Sequence, residues 1–471
     1  MTNDSTERIA SDLRAWISTA PPGAKVPSNR ALTAQYEASP VTVQKAMRQL
    51  ISAGLVEARP GVGTFVSAAR QSRPVDYGWQ TSSLGAPQSR VSLMSSTQRA
   101  IPADAIGLHS GYPSPELLPQ RLVRTAIARA SRTDASTTRS PVAGNPELQA
   151  WFSNELAARA PGGATPATTR DAIIVSGSQS GLSSIFRAVV GVGQPLLIES
   201  PTYWGAILAA EQAGVTLVPI TVGAAGPDPE DLERAFAETG ARAFYAQPTF
   251  ANPTGVQWTR ETGTAVLEIV RRNGAFLIED DWAHDLAIDS EPHPVAAHDD
   301  DGHVIYLRSL TKSLSPSLRV AAVIARGPAR ERILADRAAE SMYVSGLLQA
   351  AALDVVTQPG WHSHLRSLRQ RLRERRDLLV DSIHEHAPSA HVGAIPAGGL
   401  NLWVRLPEGC SVDAVARECE LRGLFIAPGS EWFPAEPSGP FIRVNYSSEN
   451  PDRFPAAARI LADAIDAGLA G

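Results

Sequence analysis

A single lysine stands among hydroxyls in Ser309-Leu-Thr311-Lys312-Ser-Leu-Ser, with Arg319 seven residues further on. An amine so placed attacks a carbonyl to form an imine, and hydroxyls beside an arginine suit a phosphate dianion. Pyridoxal phosphate needs both in one place. Asp280 ends the run Ala-Phe-Leu-Ile-Glu-Asp (275–280), where a carboxylate can keep a pyridine nitrogen protonated and the ring an electron sink. Asn252 lies in Asn-Pro-Thr-Gly, a turn that can bring an amide to the ring hydroxyl. Gly177-Ser178-Gln179 joins a strand to a helix, so its backbone N–H groups can receive phosphate. Tyr203, in Pro-Thr-Tyr, is a candidate to stack on the ring. Each of these alone has an ordinary structural reading: a surface lysine, a carboxylate cap, a common turn, a core aromatic.

The elements that must position these groups are legible around them. Apolar runs at 172–176, 195–199, 243–247, 275–280 and 303–307 alternate with helical segments. Short buried strands separated by helices predict a mostly parallel sheet with crossovers, whose ligands gather at the carboxyl ends of the strands. Further on, HSHLRSLRQRLRERRDLLV predicts a basic helix with Arg366, Arg369, Arg373 and Arg376 at helical spacing. It is expected to make ion pairs across a dimer or to the N-terminal domain, a polynucleotide surface being the other reading.

The first sixty-six residues have a different pattern. Ile9, Leu13, Trp16 and Ile17 predict a helix over 5–18, closed by Pro-Pro-Gly at 21–23. Ser28 caps a second helix to about Tyr36, and Ser39-Pro40 starts a third. In that third helix Val43, Met47, Leu50 and Ile51 form an apolar face, which leaves Thr42, Gln44, Lys45, Arg48 and Gln49 on the other. Gly54 stops it, and strands at 55–58 and 64–66 flank a turn at 59–63. Three helices and a hairpin follow the winged-helix order. Between Lys25 and Arg59 five cations face only Glu37 and Glu57, so the segment is locally basic within a chain of net charge −5.

Composition sets limits on the rest. Hydrophobic residues at 43% and charged residues at 19% describe a globular chain with a sizeable core and exclude an extended disordered one. No apolar run reaches about 18 residues and the N-terminus is polar, so no membrane span or secretory leader is expected and a cytoplasmic location is. Cys410 and Cys419 have neither CxxC spacing nor histidine partners, so no disulfide framework and no metal site is expected. Residues 68–107 are rich in Ser, Gln, Pro and Gly and read as a linker between a domain at 1–67 and another at 108–471.

The string KVPSNRALTAQYEASPVTVQKAMRQLISAGLVEARPGVGTFV (25–66) closely resembles the winged helix of the GntR regulators. That resemblance implies that Arg30, Thr42, Lys45, Arg48 and Arg59 contact double-stranded DNA, with Gly61 and Gly63 of the wing near the minor groove. The family often has arginine where Pro40 stands, so base readout from that position is absent. From 108 to 466 the order of motifs resembles the fold-type I aminotransferases, and the fusion resembles the MocR subfamily. The implied architecture is a winged helix-turn-helix followed by a large α/β domain with a mostly parallel sheet and a smaller C-terminal α+β subdomain.

By the same resemblance Lys312 is the imine lysine, Asp280 the partner of the pyridine nitrogen, Asn252 that of the ring hydroxyl, and Tyr203 the stacking residue. Ser178, Gln179, Ser309, Thr311 and Arg319 become phosphate ligands, and Arg443 in Phe-Ile-Arg-Val-Asn-Tyr the clamp for a substrate carboxylate. Two positions depart from the pattern. Trp282 stands where a tyrosine usually approaches the cofactor, and an indole N–H donates without accepting or ionising. Arg139 stands where a tyrosine usually reaches the phosphate of the partner subunit, a task that a guanidinium performs as well. The resemblance implies a head-to-tail homodimer with shared sites, acting as a regulator that senses pyridoxal phosphate or a small amino compound through the Lys312 imine. The alternatives are a working aminotransferase with a DNA-binding arm, or a DNA-binding protein whose large domain has lost its cofactor.

Overall fold

A computed structural model describes residues 2–67, 80, 83, 84 and 95–469 of the chain, in two compact units, Met1–Gln88 and Ser89–Gly471. Of the predicted linker, residues 80, 83, 84 and 95–107 are described, and the remainder lies outside the described residues.

In the first unit, α1 (Thr2–Thr19), α2 (Asn29–Gln35) and α3 (Pro40–Ser52) precede a hairpin of β1 (Val56–Arg59) and β2 (Gly63–Val66). Both predicted caps are made: the Ser28 and Ser39 hydroxyls accept from the N–H of Ala31 and Thr42, each at 3.2 Å. Ile9, Leu13 and Ile17 of α1 pack with Val43, Met47 and Leu50 of α3 into one apolar cluster. Ile51, expected on that face, is 41% exposed, because one step past Leu50 rotates it about 100° around the helix. Arg59 pairs with Gly63 in the hairpin register, so the turn is Pro60–Val62 and shorter than predicted. Gly61 supplies its left-handed residue at φ 75°.

The second unit is built on an eight-stranded sheet. Its strands are β4 (Ala172–Val175), β5 (Pro195–Ser200), β6 (Thr216–Gly223), β7 (Gly226–Pro227), β8 (Ala243–Ala246), β9 (Phe276–Asp281), β10 (Val304–Ser309) and β11 (Ala321–Ile324), after a short β3 (Ile106–Gly107) outside the sheet. They lie in the order β4-β11-β10-β9-β8-β5-β6-β7. The run from β10 to β6 is parallel, while β11 lies antiparallel to both neighbours. β4, β8, β10 and β11 are buried throughout, as expected of strands covered on both faces. The five apolar runs picked from the sequence are five of these strands.

A second, smaller sheet is antiparallel: β12 (His391–Val392), β13 (Asn401–Arg405), β16 (Phe441–Asn445) and β15 (Ala427–Pro428). β14 (Leu424–Phe425) pairs in parallel with β3, which ties the start of the unit to its C-terminal part. The basic segment forms a single helix, Pro359–His386. Four of its arginines pair inside the unit: Arg369 with Glu291 at 2.6 Å, Arg373 with Asp289 at 2.9 Å, Arg376 with Asp289 and Arg375 with Glu116. Of the four arginines expected to pair beyond this unit, Arg369, Arg373 and Arg376 have partners within it, while Arg366 pairs with no carboxylate among the described residues. Arg375 and Arg376 are buried because backbone carbonyls of Ser448 and Pro396 also accept from them.

Candidate functional site

The carboxyl ends of the parallel strands open onto a cavity of about 500 Å³. Eleven residues expected at the cofactor line it: Ser178, Gln179, Tyr203, Asn252, Asp280, Trp282, Ser309, Thr311, Lys312, Arg319 and Arg443. They come from the ends of β9 and β10, from the segments that follow β4, β5, β8, β9 and β10, and from β16, so a chain distance of more than 260 residues is closed by the fold. Arg139 is exposed and does not line this cavity.

Asp280 is held from one side only. Its Oδ2 accepts from the Tyr245 hydroxyl at 2.9 Å and from Gln247 Nε2 at 3.0 Å, while Oδ1 has no partner. Burial pushes its carboxyl up to about 6, against the opposing pull of those two hydrogen bonds. Gln247 is a hub: its N–H donates to buried Glu199 at 2.7 Å, and its Oε1 accepts from the N–H of Asn252 at 2.9 Å. Sequence reasoning missed Tyr245 and Gln247. The signal was present, since Tyr245 and Gln247 stand at i and i+2 at the end of an apolar run, a spacing that shares one face in extended chain.

Lys312 is largely buried, its Nζ 3.2 Å from the centroid of the Tyr112 ring. Burial, reinforced by the charges of Arg443 and Arg319, holds its amine well below the usual lysine range. The ring favours the cation, but desolvation outweighs it, so the lysine is disposed to be a neutral nucleophile. Tyr112, in the loop after β3, was not foreseen.

At the other end of the cavity α4 (Ser178–Ile185) begins at Gly177, and no side chain caps its first turn. Ser178 Oγ and Thr311 Oγ1 are buried without partners, and Ser309 Oγ accepts from the Thr311 N–H at 3.1 Å. The Arg319 guanidinium donates to Ser176 O at 3.2 Å and crosses directly over Gly177. Gly177 has φ 88° and ψ 164°, a region open essentially to glycine alone, and a Cβ there would sit 2.6 Å from Arg319 Nη2. We expect Gly177→Ala to cost about 1–3 kcal/mol of stability and to displace Arg319. Urea unfolding measures the first and phosphate affinity the second; an unchanged midpoint would contradict the account.

Arg443 is buried and its Nη groups donate to Asn252 Oδ1 at 3.3 Å and His109 O at 2.6 Å. Its Nε has no partner, and Trp432 stacks on it at 4.7 Å. Burial lowers it to about 10, which leaves it cationic at neutral pH. Because Asn252 Oδ1 is engaged, its Nδ2 donors are what the cavity receives. The Tyr203 hydroxyl donates to Gln179 Oε1 at 3.3 Å, and Gln179 Nε2 to Gly205 O at 2.7 Å, so Gln179 offers the cavity its backbone N–H. Trp282 donates its indole N–H to Phe250 O at 3.1 Å. It presents a ring to the cavity, its one donor being taken by Phe250 O.

The open groups form a series: an unpaired carboxylate oxygen, an amide donor, a buried amine, and a helix N-terminus with two hydroxyls and a guanidinium. They fit a molecule with a pyridine nitrogen, a ring hydroxyl, a carbonyl and a phosphate. Among the described residues no group of acidic, histidine or cysteine side chains fits a metal ion.

On the first unit, Lys45 and Arg48 are exposed on α3 opposite its buried face, and no carboxylate pairs with either among the described residues. Arg30 is exposed at the start of α2. The Thr42 hydroxyl lies 2.8 Å from Ser39 Oγ and so belongs to the cap. Arg59 pairs with Glu57 at 2.6 Å and lies over Phe65 at 4.9 Å, so contact with a phosphate means exchanging that carboxylate.

A winged helix joined to a parallel-sheet unit with a buried lysine and a phosphate-type helix N-terminus defines a DNA-binding protein of aminotransferase type. The chain belongs to the aminotransferase class I and II family, which matches residues 104–458, and residues 5–66 match the gntR family of bacterial regulatory proteins. This pairing is that of the MocR subfamily. The chain is 27% identical to the uncharacterized HTH-type transcriptional regulator YdfD of Bacillus subtilis, over 91% of this chain and 89% of that one. It is 26% identical to the 2-aminoadipate transaminase of Thermus thermophilus, over 80% of this chain and 94% of that one. Among solved structures it resembles LysN, the α-aminoadipate aminotransferase of Thermus thermophilus complexed with N-(5'-phosphopyridoxyl)-L-leucine. There the TM-score is 0.71 and the identity 25%, over 79% of this chain and 96% of that one.

Proposed function

We propose that the chain is a transcriptional regulator whose winged helix binds a double-stranded operator and whose large unit holds pyridoxal phosphate, sensing that cofactor, an amino compound, or both. One observation carries the reading: a GntR-family unit with unpaired cations on its third helix shares a chain with a cavity whose open atoms match the cofactor group by group. Relatives described as HTH-type regulators cover both parts of the chain.

In this reading Lys312 would hold the cofactor through its amine, Asp280 Oδ1 would serve the pyridine nitrogen, Asn252 Nδ2 the ring hydroxyl, and Tyr203 and Trp282 would supply ring surface. Ser178, Gln179 N–H, Ser309, Thr311 and Arg319 take the phosphate, and Arg443 the carboxylate of an amino acid. When bound, pyridoxal phosphate supplies a carbonyl carbon that amines exchange onto and a ring that withdraws electrons. The protein works as a cytoplasmic homodimer, head to tail. Arg139, exposed and outside its own chain's cavity, then reaches the partner subunit's phosphate. Among the described residues no helix is long and apolar enough to cross a membrane.

A working aminotransferase is the second reading, favoured by the retained lysine, aspartate, asparagine and arginine. Repeated turnover of an amino acid with a keto acid supports it; a spectral change without turnover supports the sensor.

The raised carboxyl of Asp280 gives a pH-dependent test. Without cofactor, the native state binds more protons than the unfolded chain between about 4 and 6, so stability declines as pH rises through that window. Asp280→Asn keeps one oxygen for Tyr245 and Gln247 and removes the buried charge. It should raise cofactor-free stability at pH 7.5 by on the order of 1–2 kcal/mol. The affinity of the wild type for pyridoxamine phosphate should rise as pH passes through about 6, because Asp280 must ionise to pair with a protonated ring. A calorimetric titration in which Asp280→Asn shows the same rise would contradict this.

A further inference from the structure

A second cavity of about 430 Å³ lies between the helix Pro146–Ala157, the segment after β9 and the start of the helix Pro359–His386. It shares no lining residue with the cofactor cavity. We infer that it is a binding site for a flat aromatic carboxylate.

Its carboxylates are already engaged. Glu155 and Asp285 pair with buried Arg308 at 3.4 and 3.0 Å, and Glu291 with Arg369 at 2.6 Å. Its other two arginines are not. Among the described residues no carboxylate pairs with Arg159, which donates only to Glu155 O at 3.4 Å, or with Arg366, which donates to Ser363 Oγ at 3.1 Å. The wall therefore has two cations to offer an anion. At the floor, His284 is 5% exposed and its Nδ1 lies 2.6 Å from Asp281 Oδ2, which leaves Nε2 buried without a partner. An imidazole edge in that condition is costly unless a ligand or water meets it. Trp151 and Trp361 line the same space and supply apolar surface for a planar body. Two guanidiniums, a buried imidazole edge and two indoles select an aromatic acid over an amine or a sugar.

The floor is one hydrogen bond from the neighbours of the two central cofactor groups. His284 bonds Asp281, next to Asp280, and Asp285 accepts from Ser313, next to Lys312, at 2.7 Å. An acid in this cavity is thus placed to bias the cofactor site without entering it.

The test titrates benzoate and its neutral counterpart benzamide into the full chain, followed by saturation-transfer NMR at fixed ionic strength. Benzoate should bind saturably and at least tenfold more tightly than benzamide. Arg159→Gln/Arg366→Gln should weaken benzoate at least tenfold, while Arg443→Gln leaves it within twofold. The inference is overturned if benzoate does not saturate, if benzamide binds as well, or if the double variant leaves binding unchanged. Loss in Arg443→Gln alone would put the anion in the cofactor cavity, and equal loss in both variants would mark general charge attraction; either result also overturns it.

Discussion

Lys312→Ala should leave a folded, colourless protein. Wild type incubated with pyridoxal phosphate is expected to gain a visible absorption band that borohydride fixes on the peptide containing Lys312; the variant should show neither. Because burial and two arginines depress the Lys312 amine, the cofactor-free native state holds that proton less tightly than the unfolded chain does. A group of lowered pKa weighs against the fold at every pH below its unfolded value, so removing it should leave the melting temperature unchanged or raised. Non-covalent contacts at the phosphate end should still hold pyridoxamine phosphate. The readings thus separate loss of the amine from loss of the cavity. A variant that keeps the borohydride-stable adduct would move the covalent site elsewhere, and one that unfolds would make Lys312 a structural residue.

The second large effect belongs to the winged helix. Lys45→Ala/Arg48→Ala removes the two exposed cations of α3 that have no acidic partner among the described residues. Alanine suits a helix, and neither side chain packs in the core, so thermal stability should not fall. DNA affinity should drop at least tenfold, and the slope of log K against log salt should become shallower by about 2, one unit for each phosphate-facing cation. Anisotropy titrations with a duplex enriched by the protein from random sequence, at several salt concentrations, measure both quantities. An unchanged slope would place the DNA face on another surface. Arg59→Ala should do less, since its guanidinium already has Glu57 as a partner.

Much of the site was legible because its residues are of unusual type for where they sit. A lysine among hydroxyls after a strand, and an Asp after Ala-Phe-Leu-Ile-Glu, stand out against apolar runs, and the β9 and β10 strands end within two residues of those runs. The caps were readable for the same reason, Ser28 and Ser39 being hydroxyls set just ahead of their helices, where they accept from the N–H of Ala31 and Thr42. What escaped was contact between distant segments. Nothing in Ser-Gly-Tyr-Pro indicates that Tyr112 lies under Lys312, or that His109 offers its carbonyl to Arg443, because the segment is brought to the site by distant partners, β14 and Asn445 of β16. The acidic partners of the basic helix were hidden for a related reason. Helical spacing showed which arginines share a face but not that Asp289, Glu291 and Glu116 fold back to meet them. Trp282 shows a third limit: residue type gave its donor, but only the fold showed that Phe250 O takes it.

The central claim is that cofactor chemistry at Lys312 is coupled to DNA affinity. The most direct measurement is the dissociation constant of the full chain for its selected duplex, with and without pyridoxal phosphate and then with added amino acids, for wild type and Lys312→Ala. The account predicts a several-fold change in wild type that tracks the visible spectrum and is absent from Lys312→Ala. By linkage, DNA should alter cofactor or amino acid affinity by the same factor. Identical affinities in every state of the cofactor site would contradict the account and leave two units that share a chain without sharing a function.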